Sequence, residues 1–334
     1  MKIIGSERIF ISDYLLSGES RLFKSIREKI PAFFSSGRSS IYGAFKNEIK
    51  AKAVFFPDFY CEEMLKPIIK SGTDVVFYSI NKNMTAELDV FEKIKNIKTV
   101  YINDYCGFRD NKLFELAKKK KMKIVIDRTH SMFSDFDFSG NLQIASLRKM
   151  FPLPDGGIIL NGKHFNSKRE RDASFYRDKI NAKVFRFIYE EFSDDKNTEM
   201  NYVSLSEKSE KNIKINAKNI SLFSEKFFSA YDADSASKKR RKNYSTLISY
   251  PEIRERAVFK KLDAKTVPQS LPILVSNRDS FKAKLAEEKI FAPVLWRCSN
   301  PVSESILNLP VDEEYSENDM KRMAGIICKI LKGR

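Results

Sequence analysis

The sequence predicts an α/β fold: a three-layer αβα domain on a mostly parallel sheet, followed by a smaller C-terminal α+β domain. Three observations carry this reading. From about residue 53, short apolar runs alternate with amphipathic stretches, the order expected of βαβ units. After the basic run Lys238-Lys239-Arg240-Arg241-Lys242, a second and shorter alternation of strand and helix begins. With 334 residues, 42% of them apolar and 31% charged, the chain can bury a sizeable core and is too apolar to stay disordered. The division is expected between residues 1–235 and 236–334.

Taken in order, Met1 to Leu16 carries Glu7, Arg8 and Asp13 where a secretory signal needs an apolar core, and no window approaches 18 uninterrupted apolar residues. A cytoplasmic protein without an integral membrane segment is the expectation. The pattern Ile41, Phe45, Ile49 predicts a helix whose N-terminus is crowded by Ser35-Ser36-Gly37-Arg38-Ser39-Ser40. Val54-Phe55-Phe56 reads as a strand, Met64 to Lys70 as a helix ended by Gly72, and Val75 to Tyr78 as the next strand. Ala86 to Ile94 reads as a helix, Val100-Tyr101-Ile102 as a strand, Asn111 to Lys120 as a helix, and Ile124-Val125-Ile126 as a strand ending on Asp127. Strands near Ile144 to Leu147 and at Gly157 to Leu160 follow. Residues 165 to 240 are polar and helical in pattern, with an exposed acidic connection at Glu190-Glu191 and Asp194-Asp195. In the second domain, Leu271 to Val275 and Ile290 to Trp296 read as strands, Asp279 to Glu288 and Asp319 to Leu331 as helices.

A net charge of +16 would suit nucleic acid, an anionic membrane face or a phosphorylated substrate. Lys118 to Lys121, however, sit at a helix C-terminus, where cations complement the dipole. Neither basic run has the interleaved aromatics of a single-strand binder, so no nucleic-acid partner is expected. Cys61, Cys106, Cys298 and Cys328 are scattered without a CxxC pair, which predicts reduced thiols and no metal site.

Ligands in open α/β sheets collect at the carboxyl ends of strands, and residues 57–60, 103–107 and 127–130 all fall there. The serine-rich helix start at Gly37 is either a set of N-caps, Ser36 or Ser39, or an anion site to which Arg38 adds charge. Asp127 either caps a turn or pairs with a cationic ring nitrogen. His130 is one of two histidines; His164 is given no role. The most specific stretch is Ser146-Leu147-Arg148-Lys149, closed by a proline-bounded loop and Gly156-Gly157, because an exposed lysine has no use for such backbone restriction.

These residues resemble the fold type I pyridoxal-phosphate enzymes, in particular the DegT/DnrJ/EryC1/StrS sugar aminotransferases. There an aspartate at a strand end precedes a serine-rich strand with the Schiff-base lysine, and Gly-Gly follows seven residues after it, the spacing of Lys149 to Gly156. Gly37-Arg38-Ser39, Pro57 to Cys61, Asn103 to Gly107, and Ile306 to Val311 with Tyr315-Ser316 and Asp319-Met320 stand at the places of further family segments, so the likeness spans most of the chain. The resemblance implies pyridoxal 5'-phosphate as cofactor, with Lys149 as Schiff-base lysine and proton shuttle and Asp127 holding the pyridinium nitrogen protonated. It implies phosphate contacts from Gly37, Arg38 and Ser39, with Ser146 nearby. It also implies His130 beside the ring or its phenolic oxygen, and Tyr60 or Phe59 stacked on its face. An amino-acid donor such as glutamate, a keto-sugar nucleotide acceptor and a homodimer follow, with Tyr105 and Arg297 as substrate contacts. This chain departs in having His130 where glutamine is common and Ile144 where a serine precedes the lysine. The Asn-x-Arg segment is not recognisable, Asn219-Ile220-Ser221 being its candidate counterpart. Two other readings stay open: a different pyridoxal-phosphate reaction, such as dehydration or non-sugar transamination, and a non-catalytic basic binding module on a retired fold.

Overall fold

In a computed structural model the chain is described at residues 2–5, 8–10, 12–29, 31–136, 140–163, 165, 169–171, 176–192 and 195–333. Glu7, His164 and Asp194 lie outside the described residues. After β1 (Ile4–Gly5) and α1 (Arg21–Arg27), β2 (Ala32–Phe34) leads into α2 (Gly37–Gly43), and β3 (Ala53–Pro57) into α3 (Glu62–Lys70). Then β4 (Asp74–Tyr78) precedes the short α4 (Asp89–Lys93), β5 (Thr99–Asn103) precedes α5 (Asn111–Lys119), and β6 (Lys123–Asp127), β7 (Leu142–Ser146) and β8 (Gly157–Leu160) complete one sheet. That sheet has seven strands in the order β2-β8-β7-β6-β5-β3-β4; β3 to β7 run parallel, and β8 pairs antiparallel with both β7 and β2.

Strand periodicity explains how the sheet is covered. Val54, Phe56, Tyr101, Val125 and Ile144 point to the face packed by Ile41 and Phe45, whereas Phe55, Val100, Ile102, Ile124 and Ile126 point to the face packed by Leu113 and Phe114 of α5. Both faces are buried, so the strands read as continuous apolar runs. Each fully buried side chain of this size adds about 1.5–3 kcal/mol over exposure.

Beyond β8, α6 (Tyr176–Glu191) and α7 (Lys196–Lys211) pack on each other as a helical hairpin. Next come α8 (Leu222–Ala230), α9 (Ala233–Ile248) and α10 (Pro251–Arg256), then β9 (Ser270–Leu274), α11 (Arg278–Glu287), β10 (Ile290–Phe291), α12 (Val302–Ser305), β11 (Ile306–Pro310) and α13 (Glu317–Lys332). Antiparallel β9 and β11 share a core with Tyr244 and Leu247 of α9 and with Met320, Met323 and Ile327 of α13. The N-terminus joins this C-terminal unit, because β1 pairs parallel with β10. A buried ion cluster ties it further: Arg240 Nε reaches Glu313 at 2.7 Å and its Nη2 reaches Asp312 at 2.5 Å, while Arg8 also binds Glu313. The second basic run therefore holds a core arginine. Among the described residues, no helix is long and apolar enough to cross a membrane.

Two expected elements are shorter than their patterns suggest. The helix expected from Ala86 begins at Asp89, because the Ala86 N–H donates to Asp110 Oδ2 at 2.7 Å and Ala86 bridges Ile80. The strand expected over Ile290 to Trp296 stops at Phe291; Pro293 has no N–H to donate, and Trp296 turns to φ 47°.

Candidate active site

Register and periodicity bring one set of side chains to the carboxyl edge of the sheet. Asn103, Asp127 and Ile144 are direct neighbours across β5, β6 and β7. They share the face of Tyr101, Val125 and Leu142, and Ser146 lies two residues beyond Ile144 on the same face. Here they border a cavity of about 220 Å³ together with Ser36, Gly37 and Arg38 of the α2 start, Thr129, His130 and Lys149.

The α2 end is set by Ser36, whose hydroxyl caps the Ser39 N–H at 3.1 Å. The amide end of the helix at Gly37 and Arg38 borders the cavity, where N–H groups and the dipole favour an anion. A Cβ on Gly37 would lie 2.6 Å from Ser146 Cβ, so only glycine lets this backbone approach β7 so closely. The double glycine does the same from the other side. A Cβ on Gly157 would meet Ser36 O at 2.2 Å, and Gly156, at φ 121°, donates its N–H to Ser35 O at 2.9 Å.

Lys149 ends a single tight turn, Leu147–Lys149, flanked by the fully buried Leu147, Met150 and Phe151. That platform fixes the backbone while the side chain stands open to the cavity. Its Nζ makes no hydrogen bond or ion pair among the described residues. Lys149 is exposed through the open side of the cavity, while the protein packed around the amine lowers its pKa, with Arg148 and Lys179 adding to this against an opposing pull from Glu210. Asp127 accepts from the Thr129 N–H at 2.8 Å and from the Tyr101 hydroxyl at 2.5 Å. Burial nonetheless raises its pKa, and no cation pairs with this carboxylate among the described residues. His130 accepts from the Cys106 N–H through Nδ1 at 3.3 Å, which leaves the neutral ring's proton on Nε2. Its ring stacks on Trp296 at 5.9 Å, and burial, with Lys149 contributing, pushes its pKa down to about 3.

Gly37, Arg38, Asp127, His130, Ser146 and Lys149 thus meet in one cavity. Four other expected contacts do not border it. Ser39 is fully buried behind Ser36 and donates its hydroxyl to Lys214 O, so Ser36 and Ser40 border the cavity instead. Tyr60 stacks on Phe77 at 5.4 Å, and Phe59 packs between Tyr105 and Trp296; Cys61 and Met64 take the cavity side of that turn. Tyr105 is buried, its hydroxyl donating to Phe59 O at 2.6 Å. Arg297 is exposed, one residue past Trp296, which does border the cavity. Arg38 also differs from expectation: its guanidinium is paired with Glu63 at 2.9 Å.

Sequence reasoning missed Thr129, Trp296 and a carboxylate clasp. Glu210 of α7 accepts from both Nη atoms of Arg148, at 2.6 and 3.1 Å, and from Lys179 Nζ of α6 at 3.2 Å. Arg148 adjoins the lysine in sequence, which is a signal of a kind; nothing near Glu210 gives one.

No family model and no curated protein matches the sequence. Solved structures do match its fold. Helicobacter pylori PseC, an aminotransferase involved in the biosynthesis of pseudoaminic acid, aligns over 100% of both chains with 15% identity and a TM-score of 0.67. A DegT DnrJ EryC1 StrS aminotransferase from Brucella abortus aligns over 96% of this chain and 92% of its own, with 16% identity and a TM-score of 0.62. S. venezuelae DesV, solved in complex with a ketimine intermediate, covers 95% of this chain and 90% of its own at 14% identity and a TM-score of 0.63. At such identities the likeness is one of fold.

Proposed function

We propose that this chain, whose fold is shared with sugar aminotransferases, is a pyridoxal-phosphate-dependent aminotransferase moving an amino group from an amino acid such as glutamate to a keto-sugar nucleotide. The observation that carries the reading is Lys149: an amine with no hydrogen bond or ion pair among the described residues, bordering one cavity with Asp127 and the amide end of α2. Bound pyridoxal phosphate supplies an electron sink for the carbon that bears the transferred amine.

The residues present fit that group. Asp127 is buried without a counter-charge, which a cationic ring nitrogen would provide. Asn103 Nδ2 is buried and, among the described residues, meets no acceptor at hydrogen-bond geometry. The Ser146 hydroxyl and the Gly37-Arg38 amide end make a seat for a phosphate, kept narrow by the absence of a Cβ at Gly37.

Lys149 acts first as a nucleophile, for which a lowered pKa keeps the amine neutral at lower pH than in water. The same amine, when free, would carry a proton through Nζ. The Tyr101 hydroxyl and Thr129 N–H hold the Asp127 carboxylate in one orientation, so the charge it presents costs no reorganisation. His130 stays neutral and offers an Nε2–H, held in place by Cys106 and Trp296. Pro293, Leu295 and Trp296 wall the cavity from the C-terminal side. A homodimer, supported by the exposed apolar Leu15, Leu16, Leu222 and Phe223, belongs to the same reading, as do a division of the chain near residue 235 and a cytoplasmic location.

Borohydride added with pyridoxal phosphate is expected to fix the cofactor's mass on Lys149, as read by peptide mass spectrometry, and to leave Lys149→Ala unlabelled. Glutamate added to the loaded protein is expected to shift its absorbance to the pyridoxamine form. Labelling spread over surface lysines, equal in the variant, would defeat the reading.

A further inference from the structure

The cavity at Lys149 opens beside a second one of about 440 Å³, and the two share Arg148, Lys149, Glu210, Gln269 and Pro293 as a common wall. At that wall a carboxylate is already bound. The two Nη atoms of Arg148 hold both oxygens of Glu210, the planar fork-to-carboxylate arrangement, and Lys179 adds a third donor. Glu210 sits in the last turn of α7, where the helix dipole disfavours an anion, so the cations supply what keeps it there. Burial opposes its ionisation, but Arg148 foremost, with Lys179 and Lys149, holds its carboxyl far below the usual range.

The three partners are unequally buried. The side chains of Arg148 and Lys179 are 13% and 8% exposed, that of Glu210 41%. Buried cations must stay paired, because an uncompensated buried charge costs several kcal/mol. A carboxylate already 41% exposed gives up less burial on returning to water than either cation would. Exchange of one carboxylate for another therefore leaves both cations satisfied. Arg148, Glu210 and Lys149 border the same cavity, so an incoming carboxylate in this fork would face the space into which the reactive amine opens.

We infer that Arg148 and Lys179 form the seat for a carboxylate of the amino-acid donor, and that Glu210 is an internal occupant which the donor displaces. The inference rests on the aminotransferase reading for the donor's identity. The seat itself can be tested without any reaction. Glutarate binding to the full-length protein, with pyridoxal phosphate present, is measured by calorimetry for wild type, Glu210→Gln and Arg148→Lys. Freed of its competitor, Glu210→Gln is expected to bind glutarate about tenfold more tightly, a factor equivalent to about 1.4 kcal/mol. Arg148→Lys keeps the charge but loses the fork, and is expected to bind about tenfold more weakly. Should Glu210→Gln fail to fold, Glu210→Asp, with its shorter reach, is expected to tighten binding in the same direction.

Weaker or unchanged glutarate binding in the Glu210 variants would mean that this carboxylate orients Arg148 rather than competing for it, and would overturn the inference. Equal gains for inorganic phosphate at matched ionic strength would overturn the carboxylate assignment. The expected glutarate pattern without borohydride labelling of Lys149 would keep the seat but overturn its assignment to an amino donor.

Discussion

The closest backbone approach in the site gives the sharpest test. Gly157→Ala adds one methyl group, which would lie 2.2 Å from Ser36 O, 2.5 Å from Ser36 C and 2.8 Å from Gly37 N. All three are backbone atoms, so no side-chain rotation relieves the contact. Ordinary contact lies near 3.5 Å, and the strand and the α2 start must part by about 1 Å. Overpacking of this kind costs about 1–3 kcal/mol. The same parting pulls the Gly37-Arg38 amides away from Ser146, and losing one hydrogen bond to a charged phosphate, about 1.5–3 kcal/mol, weakens cofactor binding about tenfold or more. Gly325→Ala is the control. Nothing lies within 4 Å of a Cβ there, inside α13, so the change is expected to stabilise by about 0.5–1 kcal/mol. Urea unfolding of the three proteins, followed by circular dichroism, reads the stabilities; titration with pyridoxal phosphate reads the seat. A Gly157→Ala protein as stable as wild type, with unchanged cofactor affinity, would refute the close approach and the seat derived from it.

Other perturbations reach different parts of the molecule. Unfolded chain protonates His130 near 6.5 and folded protein near 3, so stability falls as pH drops through that interval. His130→Gln removes this component, and its urea midpoint is expected to decline less steeply from about pH 6 to pH 4; parallel slopes in the two proteins would contradict the burial of a neutral ring. Glu313→Gln leaves Arg240 and Arg8 short of a buried counter-charge and is expected to cost about 3–5 kcal/mol of unfolding free energy. Glu317→Gln, which loses surface pairs with Lys242 and Lys321, is expected to change the midpoint little. Similar midpoints for the two variants would argue against the ion cluster as a tie between α9 and the segment after β11.

The central sheet was legible because buried parallel strands must be apolar on both faces, and runs such as Ile124-Val125-Ile126 announce that directly. Asp127 and Lys149 were legible for the complementary reason: a charged residue at the end of such a run, or inside a glycine-bounded loop, interrupts a pattern. Turns carry no period, so the sequence could not say which of Phe59, Tyr60 and Cys61 faces the cavity, and it is Cys61. Ser39 was misplaced because the residue that caps α2 is three positions before it, leaving Ser39 to bind the segment around Lys214. The clasp on Arg148 was invisible, since Glu210 lies 62 residues away on a surface-patterned helix and only tertiary packing joins them. The apolar neighbours of Trp296 predict a strand, whereas Pro293 and a positive φ turn the chain toward the site.

Trp296 is the chain's one tryptophan, among 13 tyrosines and 27 phenylalanines, and it stands in the cavity wall against an imidazole that stays uncharged at neutral pH. Excited at the red edge of the indole band, the whole protein emits from that single ring. Its fluorescence is thus a private optical gauge of the cavity: a chromophore entering beside it drains the emission, and loss of its packing on His130, Phe59 and Tyr105 changes it.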